Sequence, residues 1–276
     1  MWLKNKKVVL TGASSGIGKE ITKILIEKYD CFVLGIGQNE QNMIELKNLL
    51  KERSHHFSYN LFDVSNKENW DKFVKELEDK NWEADMLINC AGMLPKFDRF
   101  ENYSLELLDE VMKTNFYSAV YAIKAMLPIL KKSQSPAIVN VSSSASLCAL
   151  PGITYYTASK SALKNFTEAL ASEYKNKIYV GLICPGFTRT NIFRNQNKQV
   201  EKSIVYKFSM NADKMAKKIV KAIKRKKKRA VIGSDARLMN MLYKLCPKSA
   251  GDICGRVLKK FKVELFEDVF KEGGQE

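Results

Sequence analysis

Residues 8–25 read VVLTGASSGIGKEITKIL, and this stretch decides the fold. It begins with three apolar residues, typical of a short buried strand, and ends with apolar residues spaced as on one helix face. Between them lies a turn that contains Gly12, Gly16 and Gly18. Glycine lets a pyrophosphate approach the backbone, and the helix amino terminus supplies N–H donors and positive potential. This order of strand, turn and helix predicts a dinucleotide-binding site.

The same alternation of short apolar strands and longer helices continues along most of the chain. Strands are predicted over 8–10, 31–36, 57–62, 84–90, 137–141, 179–184 and 230–233, and helices over 41–52, 67–78, 105–130, 154–175 and 212–228. Strands that alternate with helices pair in parallel through right-handed crossovers. We therefore predict an α/β fold with a doubly wound parallel sheet of the Rossmann type, whose strand ends carry the ligand site.

The length of 276 residues is enough for one large α/β domain. We predict a dinucleotide-binding catalytic domain over 1–236, with a substrate loop at about 187–212, and a basic and apolar carboxyl-terminal extension over 237–276. No stretch approaches the ~20 apolar residues of a membrane span. The amino terminus reads as the start of the first strand and not as a signal peptide, so we expect a cytoplasmic protein.

The six cysteines are scattered, and none forms a Cys-x-x-Cys pair. This distribution indicates a reduced protein without a metal site. His55 and His56 are the only histidines, and their polar surroundings indicate a loop, which argues against a Ser-His-Asp hydrolase.

The net charge of +16 is concentrated near the carboxyl terminus. Residues 214–276 contain 18 basic and 7 acidic side chains, and Lys221–Arg229 holds seven cations in nine positions. Such a run is either a solvated helix end or a patch for an anionic surface. Because the apolar stretch 238–245 follows, peripheral membrane contact is one interpretation, and packing on the protein body or across a dimer is another. The cationic run lacks interleaved aromatic residues, so we expect no nucleic-acid partner.

A tyrosine and a lysine four residues apart, Tyr156 and Lys160, share one face of a predicted helix. The ordinary pKa of tyrosine is about 10, and a nearby ammonium lowers it by stabilising the phenolate. Ser143 ends the preceding strand, so two hydroxyls can meet one carbonyl oxygen, as general acid catalysis requires. Each residue considered alone has a simpler explanation. Ser143 would belong to a turn of small residues, and Tyr156 would be an aromatic side chain packed against a neighbouring helix. The spacing to Lys160 selects Tyr156 over Tyr155.

Taken together, the motifs resemble the short-chain dehydrogenase/reductase family over about residues 6–190. The resemblance rests on Thr11–Gly18, Asp63, Asn89-Cys-Ala-Gly92, Asn115, Ser143, Tyr156-x-x-x-Lys160 and Pro185-Gly186. It implies hydride transfer between NADP(H) or NAD(H) and a small-molecule carbonyl or alcohol, in a homodimer or homotetramer. The alternative is a non-catalytic protein that retains the fold.

The resemblance also implies a role for each of four catalytic residues. Tyr156 would donate the proton in reduction and accept it in oxidation, and Ser143 would hydrogen-bond the substrate oxygen. Lys160 would hold the nicotinamide ribose and lower the pKa of the tyrosine. Asn115 would hold a water that connects Lys160 to solvent.

Asp63 and the backbone of Val64 would contact the adenine, and Thr190 the carboxamide. The full set of expected cofactor-binding residues is Gly12, Ser14, Ser15, Gly16, Ile17, Gly18, Gln38, Asn39, Asp63, Val64, Asn89, Ala91, Gly92, Tyr156, Lys160, Pro185, Gly186, Thr188 and Thr190. In NAD sites a carboxylate near the end of the second strand usually binds the ribose 2′-hydroxyl, and it would repel the 2′-phosphate of NADP. Residues 35–39 contain no carboxylate, and this absence favours NADP(H) over NAD(H). Cys90 departs from the family pattern, which has a second asparagine there.

The resemblance places substrate selection in the loop 187–212 and in residues 237–276. Apolar side chains in this loop could form a lid over a sterol, a long-chain carbonyl or another lipid-like substrate, or could only pack the loop onto the body. They are Phe187, Ile192, Phe193, Ile204, Val205, Phe208 and Met210.

Overall fold

The computed structural model describes residues 2–193, 196, 203–261 and 263–270. Over these residues nine strands are present: β1 (Lys7–Thr11), β2 (Phe32–Gly37), β3 (Phe57–Leu61), β4 (Met86–Asn89), β5 (Ala137–Val141), β6 (Tyr179–Pro185), β7 (Thr188–Arg189), β8 (Met210–Asn211) and β9 (Arg229–Ile232). Seven of them form one parallel sheet in the order β3-β2-β1-β4-β5-β6-β9, and β7 pairs with β8 in parallel. The predicted doubly wound parallel sheet is confirmed.

Helices cover both faces of the sheet: α1 (Gly16–Tyr29), α2 (Glu40–Leu49), α3 (Lys67–Asp79), α4 (Leu105–Met112), α5 (Ser118–Leu130), α6 (Thr154–Glu173), α7 (Ile204–Phe208), α8 (Ala212–Lys224), α9 (Ser234–Leu245), α10 (Ala250–Lys260) and α11 (Glu267–Phe270). On one face, Leu25 of α1 and Ile219 of α8 are fully buried in one apolar cluster. On the other, Trp70 of α3 and Met126 of α5 are buried in a second cluster. All residues of β5 are buried, because helices cover both of its faces.

The predicted helix over 105–130 is interrupted by a π-helical turn, Lys113–Tyr117, between α4 and α5. Such turns add one residue to the helical path and often occur at functional sites. Pro128 lies inside α5, whose helical conformation continues to Leu130.

The predicted helix over 212–228 also ends early, at Lys224. Lys226 has a φ of 47°, and the backbone N–H of Lys227 donates to the carbonyl oxygen of Ala222 at 3.1 Å. This pattern closes a helix and reverses the chain. The reversal brings the chain into β9, the predicted seventh strand at the sheet edge.

The cationic run lies beside the amino-terminal ends of β6 and β9, at the sheet edge opposite the predicted ligand site. The Nζ of Lys226 is 4.7 Å from the ring centroid of Trp2, and the Trp2 indole donates to the carbonyl oxygen of Lys224 at 2.7 Å. The Tyr179 hydroxyl donates to the carbonyl oxygen of Lys227 at 2.9 Å. Aromatic side chains therefore hold part of the run against the sheet.

The carboxyl-terminal extension packs on the body of the same domain. Met239 of α9, Ala250 of α10 and Phe266 are buried in a third apolar cluster with Phe97 and Tyr156. The predicted boundary between residues 236 and 237 falls inside α9. None of the described helices combines the length and apolarity that a membrane crossing requires.

The turn between β1 and α1 leaves no space for a side chain at Gly18. A Cβ there would lie 2.1 Å from the carbonyl oxygen of Gly12. Gly18→Ala should therefore destabilise the protein by about 2 kcal/mol or more, because backbone must move. Gly251→Ala is the control, since its Cβ would meet only an ordinary contact at 3.4 Å from Ala149. It should be neutral or stabilise α10 by about 0.5–1 kcal/mol. Urea denaturation measures both, and equal stabilities of the variants would contradict the expectation.

Candidate active site

A cleft of about 640 Å³ opens at the carboxyl ends of the parallel strands. Its walls come from the turns that follow β1, β2, β3, β4, β5 and β6, together with one face of α6. Loops at this edge meet because parallel strands all end there. Distant parts of the sequence thus surround one cavity.

The glycine turn forms one end of the cleft and fits a pyrophosphate. Gly12 and Gly16 have φ values of 70° and 52°, and a Cβ at Gly12 would lie 3.0 Å from the Ala91 backbone. The Ser15 side chain makes no capping bond to α1, which leaves the first N–H groups of the helix for another acceptor. A phosphate is the acceptor that such a helix terminus favours.

Most of the predicted cofactor residues line this one cleft. They are Gly12, Ser14, Ser15, Gly16, Ile17, Gly18, Gln38, Asn39, Asp63, Val64, Ala91, Gly92, Tyr156, Lys160, Pro185, Gly186, Thr188 and Thr190. Thr190 is next to the glycine turn, since a Cβ at Gly16 would lie 3.2 Å from its side chain. The Asn39 side chain accepts from the N–H of Asn42 at 2.8 Å, so it caps α2 as well.

Asn89 is the exception among these residues, because its side chain does not line the cleft. Its Nδ2 donates to Oδ1 of Asn140 at 2.8 Å, and Nδ2 of Asn140 donates to Oγ1 of Thr167 at 2.9 Å. These buried bonds connect β4, β5 and α6. The Asn89 side chain therefore lies behind the cleft wall, and the expected part of this residue in cofactor binding stays a prediction. The sequence contained one indication of this pairing, because Asn140 is a polar residue inside the apolar strand β5.

Asn115 also lies behind the wall, in the π-helical turn, and is buried. Its Oδ1 accepts from the N–H of Met93 at 2.8 Å, and its Nδ2 donates to the Met93 carbonyl at 2.9 Å and to Ser159 Oγ at 3.0 Å. A Cβ at Gly92 would lie 3.1 Å from Asn115 Oδ1 and 3.2 Å from Lys160 Nζ. Asn115 thus joins the loop after β4 to α6. Its expected role in holding a water stays a prediction.

Ser143, Tyr156 and Lys160 meet in the middle of the cleft. The Ser143 hydroxyl lies close enough to the Tyr156 hydroxyl to lower the pKa of the tyrosine. Lys160 Nζ lies 5.9 Å from the Tyr156 ring centroid and donates to the carbonyl oxygen of Val141 at 3.2 Å. Tyr155 instead packs against Tyr103, with ring centroids 5.0 Å apart, and is absent from the cleft lining. The spacing argument therefore selected the tyrosine that faces the serine.

The electrostatics of this group differ from the expectation. Burial raises the pKa of Tyr156, and the hydrogen bond from Ser143 only partly opposes this. Burial also lowers the pKa of Lys160 to about 8. The predicted lowering of the tyrosine pKa by Lys160 is thus not present in the protein alone, because the loss of hydration dominates. At neutral pH the tyrosine is a protonated donor and the lysine is still mostly cationic.

The other end of the cleft is apolar. Three of the predicted lid residues, Phe187, Ile192 and Phe193, line it, whereas Phe208 is 85% exposed. Val205 packs against the third apolar cluster, and the Ile204 side chain lies outside the described residues. Sequence reasoning missed other apolar residues of the cleft wall. They lie shortly after Gly92 or between Ser143 and Tyr156, and are Met93, Leu94, Phe97, Leu150 and Ile153. Their position close to these motif residues was the available signal.

The described residues contain no group of three or more His, Cys, Asp or Glu side chains that could hold a metal ion. Six free cysteines are present, and the Sγ atoms of Cys148 and Cys254 are 3.8 Å apart. His55 and His56 lie in the 3-10 helix Lys51–His56 and not in the cleft.

Lys160→Met tests the buried ammonium. The pKa of Lys160 is about 8 in the folded protein, against 10.5 for a lysine exposed to water, as in the unfolded chain. Since the unfolded chain binds this proton more tightly, the ammonium destabilises the fold below pH 8, and this effect disappears as the pH rises towards 10.5. The variant should be more stable than the wild type at pH 7 by up to about 3 kcal/mol, and the difference should shrink at high pH.

Urea denaturation between pH 7 and 10.5 measures this difference. Lys164→Met is the control, because Lys164 pairs with Glu168 at 2.9 Å on the more exposed side of α6. Its effect should stay within about 1 kcal/mol. A Lys160→Met effect that does not change with pH would assign the titration to another group.

Comparison with known proteins agrees with this architecture. A family model described as short chain dehydrogenase matches residues 6–201. The bovine 3-ketodihydrosphingosine reductase is 31% identical over 250 residues, which cover 87% of this chain and 75% of the bovine one. The 3beta-hydroxysteroid dehydrogenase 2 of Eggerthella lenta is 31% identical over 192 residues, covering 69% of this chain and 74% of that one.

A solved structure from Shigella flexneri, described as a short chain dehydrogenase complexed with NADP, superposes with a TM-score of 0.69. It is 25% identical, and the superposition covers 76% of this chain and 88% of the other. A family model that spans most of the chain, together with relatives of this identity and coverage, shows that the protein belongs to the short-chain dehydrogenase/reductase family of NAD(P)-dependent oxidoreductases.

Proposed function

We propose that the protein reduces a lipid-like ketone with NADPH, with Tyr156 as the general acid. One observation carries the proposal: Ser143, Tyr156 and Lys160 line the same cleft, between the glycine turn and its apolar end. A hydride donor held by the glycine turn and a ketone held by the apolar walls would share this point. The same groups would serve the reverse oxidation of a secondary alcohol.

The chemistry requires one hydride and one proton. A bound nicotinamide supplies the hydride to the carbonyl carbon. Ser143 and Tyr156 hydrogen-bond the carbonyl oxygen, and Tyr156 donates its proton to that oxygen, which gives the alcohol and a phenolate. The Lys160 ammonium, 5.9 Å from the Tyr156 ring centroid, would offset part of the cost of forming this phenolate in a buried site. The raised pKa of Tyr156 keeps the proton available before the step.

The cofactor preference is supported by the charges at the end of β2. Gln38, Asn39 and Asn42 line the cleft there, and none is acidic. A 2′-phosphate would meet no carboxylate at this position. The Shigella flexneri structure was solved with NADP, so this fold accepts the phosphorylated cofactor in that protein.

The substrate class is supported by the apolar walls and by the names of relatives. Phe97, Leu150, Ile153, Phe187 and Phe193 surround the space beyond Tyr156. The bovine relative is named for reduction of 3-ketodihydrosphingosine, and the Eggerthella lenta relative for a hydroxysteroid. Both names describe molecules with a large apolar part, which such walls would bind.

We also infer a homodimer or homotetramer. On the side of α4 and α5, Leu105 is 72% exposed and Tyr117 is 42% exposed. Burial of such side chains between copies of the chain would remove apolar surface from water. Light scattering at micromolar concentration tests this inference, and a monomer mass would contradict it.

A second candidate property is peripheral contact with an anionic membrane. The exposed apolar side chains of α9, of α10 and of the residue that caps α10 are Leu238, Met241, Tyr243, Leu245, Val257 and Phe261. They lie in the part of the sequence that carries 18 basic and 7 acidic residues, a charge balance that attracts anionic lipids. The protein should co-sediment with anionic liposomes at physiological salt and not with neutral ones. Absence from both pellets would contradict the contact.

Tyr156→Phe should remove ketone reduction and retain NADPH binding, because only the hydroxyl proton is lost. The loss should be at least about 10²-fold in kcat, as for a removed general acid. Tyr155→Phe is the matched control and should stay close to wild type, since Tyr155 packs against Tyr103 outside the cleft. NADPH fluorescence measures binding, and NADPH oxidation with a panel of apolar ketones measures turnover. Near wild-type turnover in Tyr156→Phe would refute the assignment.

Gln38→Asp should shift the cofactor preference from NADPH towards NADH. The new carboxylate would repel a 2′-phosphate, and we expect the NADPH dissociation constant to rise about tenfold, or 1.4 kcal/mol. NADH binding should change little. Gln41→Asp adds the same charge to α2 outside the cleft lining and controls for long-range effects. Equal effects of the two variants would show that the 2′-phosphate does not bind at Gln38.

A further inference from the structure

The carboxylate of Asp235 lies where the substrate loop leaves the sheet. Asp235 is in the first turn of α9, and its Oδ2 accepts a hydrogen bond from the backbone N–H of Phe187 at 2.6 Å. Phe187 is the second residue after β6 and lines the cleft, whereas Asp235 does not. Asp235 can therefore influence the cleft only through the residues that it holds.

Two glycines make room for this carboxylate. A Cβ at Gly186 would lie 2.2 Å from both carboxylate oxygens, and one at Gly233 would lie 2.4 Å from Oδ1. The ends of the two strands are joined here, since the N–H of Gly186 donates to the carbonyl oxygen of Ile232 at 2.8 Å. The Asp235 side chain thus occupies the space that side chains at these glycines would need.

The bond from Asp235 completes the fixation of Phe187. The Phe187 carbonyl oxygen accepts from the N–H of Met210 at 3.0 Å, so both backbone groups of Phe187 are held. A hydrogen bond to a carboxylate is roughly twice as strong as one between neutral groups. The Phe187 ring stacks on Phe193, with centroids 6.4 Å apart and an interplanar angle of 14°. Holding the Phe187 backbone therefore also places this aromatic pair.

The helix that carries Asp235 also touches the catalytic side of the cleft. Met239 of α9 belongs to the same apolar cluster as Tyr156, and α9 packs against the 3-10 turn Ser144–Ser146 that follows Ser143. A single helix therefore contacts both the aromatic wall and the turn beside the catalytic serine.

We propose that Asp235 is a positioning residue that fixes the Phe187–Phe193 wall opposite Tyr156 and so sets the fit of the apolar part of the substrate. This inference rests on the proposed function. Loss of the bond would free the Phe187 N–H and leave the backbone of this residue held only by the bond from Met210, and its ring would move relative to Tyr156. The effect should appear in substrate binding more than in the chemical step.

The first test needs no substrate. Trypsin cleaves after Arg189 and Lys207, which are exposed residues of the substrate loop. Asp235→Ala should accelerate cleavage at these two sites about tenfold, because loss of one such bond lowers the local opening free energy by about 1.4 kcal/mol. Asp252→Ala is the matched control, because Asp252 is also acidic and in the first turn of a helix, α10. It should cleave at the wild-type rate.

The second test separates binding from chemistry, with NADPH and a long-chain methyl ketone as probe. Asp235→Ala should raise KM for this ketone about tenfold and change kcat less, the pattern of lost binding interactions. The NADPH dissociation constant should stay near that of the wild type. Asp235→Asn keeps an oxygen acceptor of the same shape and should return KM to within about threefold of wild type.

Two results of the cleavage test would overturn the proposal, and so would one kinetic result. The first is wild-type loop cleavage in Asp235→Ala. The second is equal effects of Asp235→Ala and Asp252→Ala, which would indicate only the loss of a helix-terminal charge. If the wild type reduces no ketone while Asp235→Ala still accelerates loop cleavage, the proposed function is wrong. The structural role of Asp235 in holding the loop would still be supported. Loss of kcat with unchanged KM would refute the role in substrate fit.

Discussion

The close approach of two backbone segments at the carboxyl edge of the sheet is the constraint on which the site depends. Gly18 lies against the carbonyl of Gly12, and Gly12 lies against Ala91. The Thr11 hydroxyl accepts from the N–H groups of Cys90 and Ala91 at 3.0 and 3.1 Å, which connects β1 to the loop after β4. Side chains at the glycines would separate these segments. The phosphate-binding end of the cleft therefore exists because this contact is made of backbone.

A buried polar network fixes α6 relative to that edge. The Ser142 hydroxyl donates to the Lys160 carbonyl at 2.8 Å, and Asn140 donates to Thr167. Asn115 adds a connection from the π-helical turn. In a low-dielectric interior an unmade bond in such a network costs more than a made one contributes, so the helix has one favoured position. The mutual placement of the serine and tyrosine hydroxyls follows from it.

Periodicity predicted the strands and the sheet well, because each element records its own burial in its apolar spacing. Periodicity did not predict those local conformations that depend on contacts with other elements of the fold. The π-helical turn at Lys113–Tyr117 lies inside a continuous helical pattern, and the end of α8 depends on a chain reversal at Lys226. The partner of the Asn89 side chain was not predicted either, because it is Asn140, which is 51 residues away in the sequence.

The sequence by itself determined the α/β fold, the glycine turn and the tyrosine that faces Ser143, because these depend on local spacing and on residue types with few alternatives. Tertiary structure alone decided the pKa directions of Tyr156 and Lys160, since both follow from burial by distant elements. It also decided that Asp235 holds Phe187, a contact between residues 48 positions apart. Such contacts arise only when packing brings separate elements together, and no pattern within either element records them.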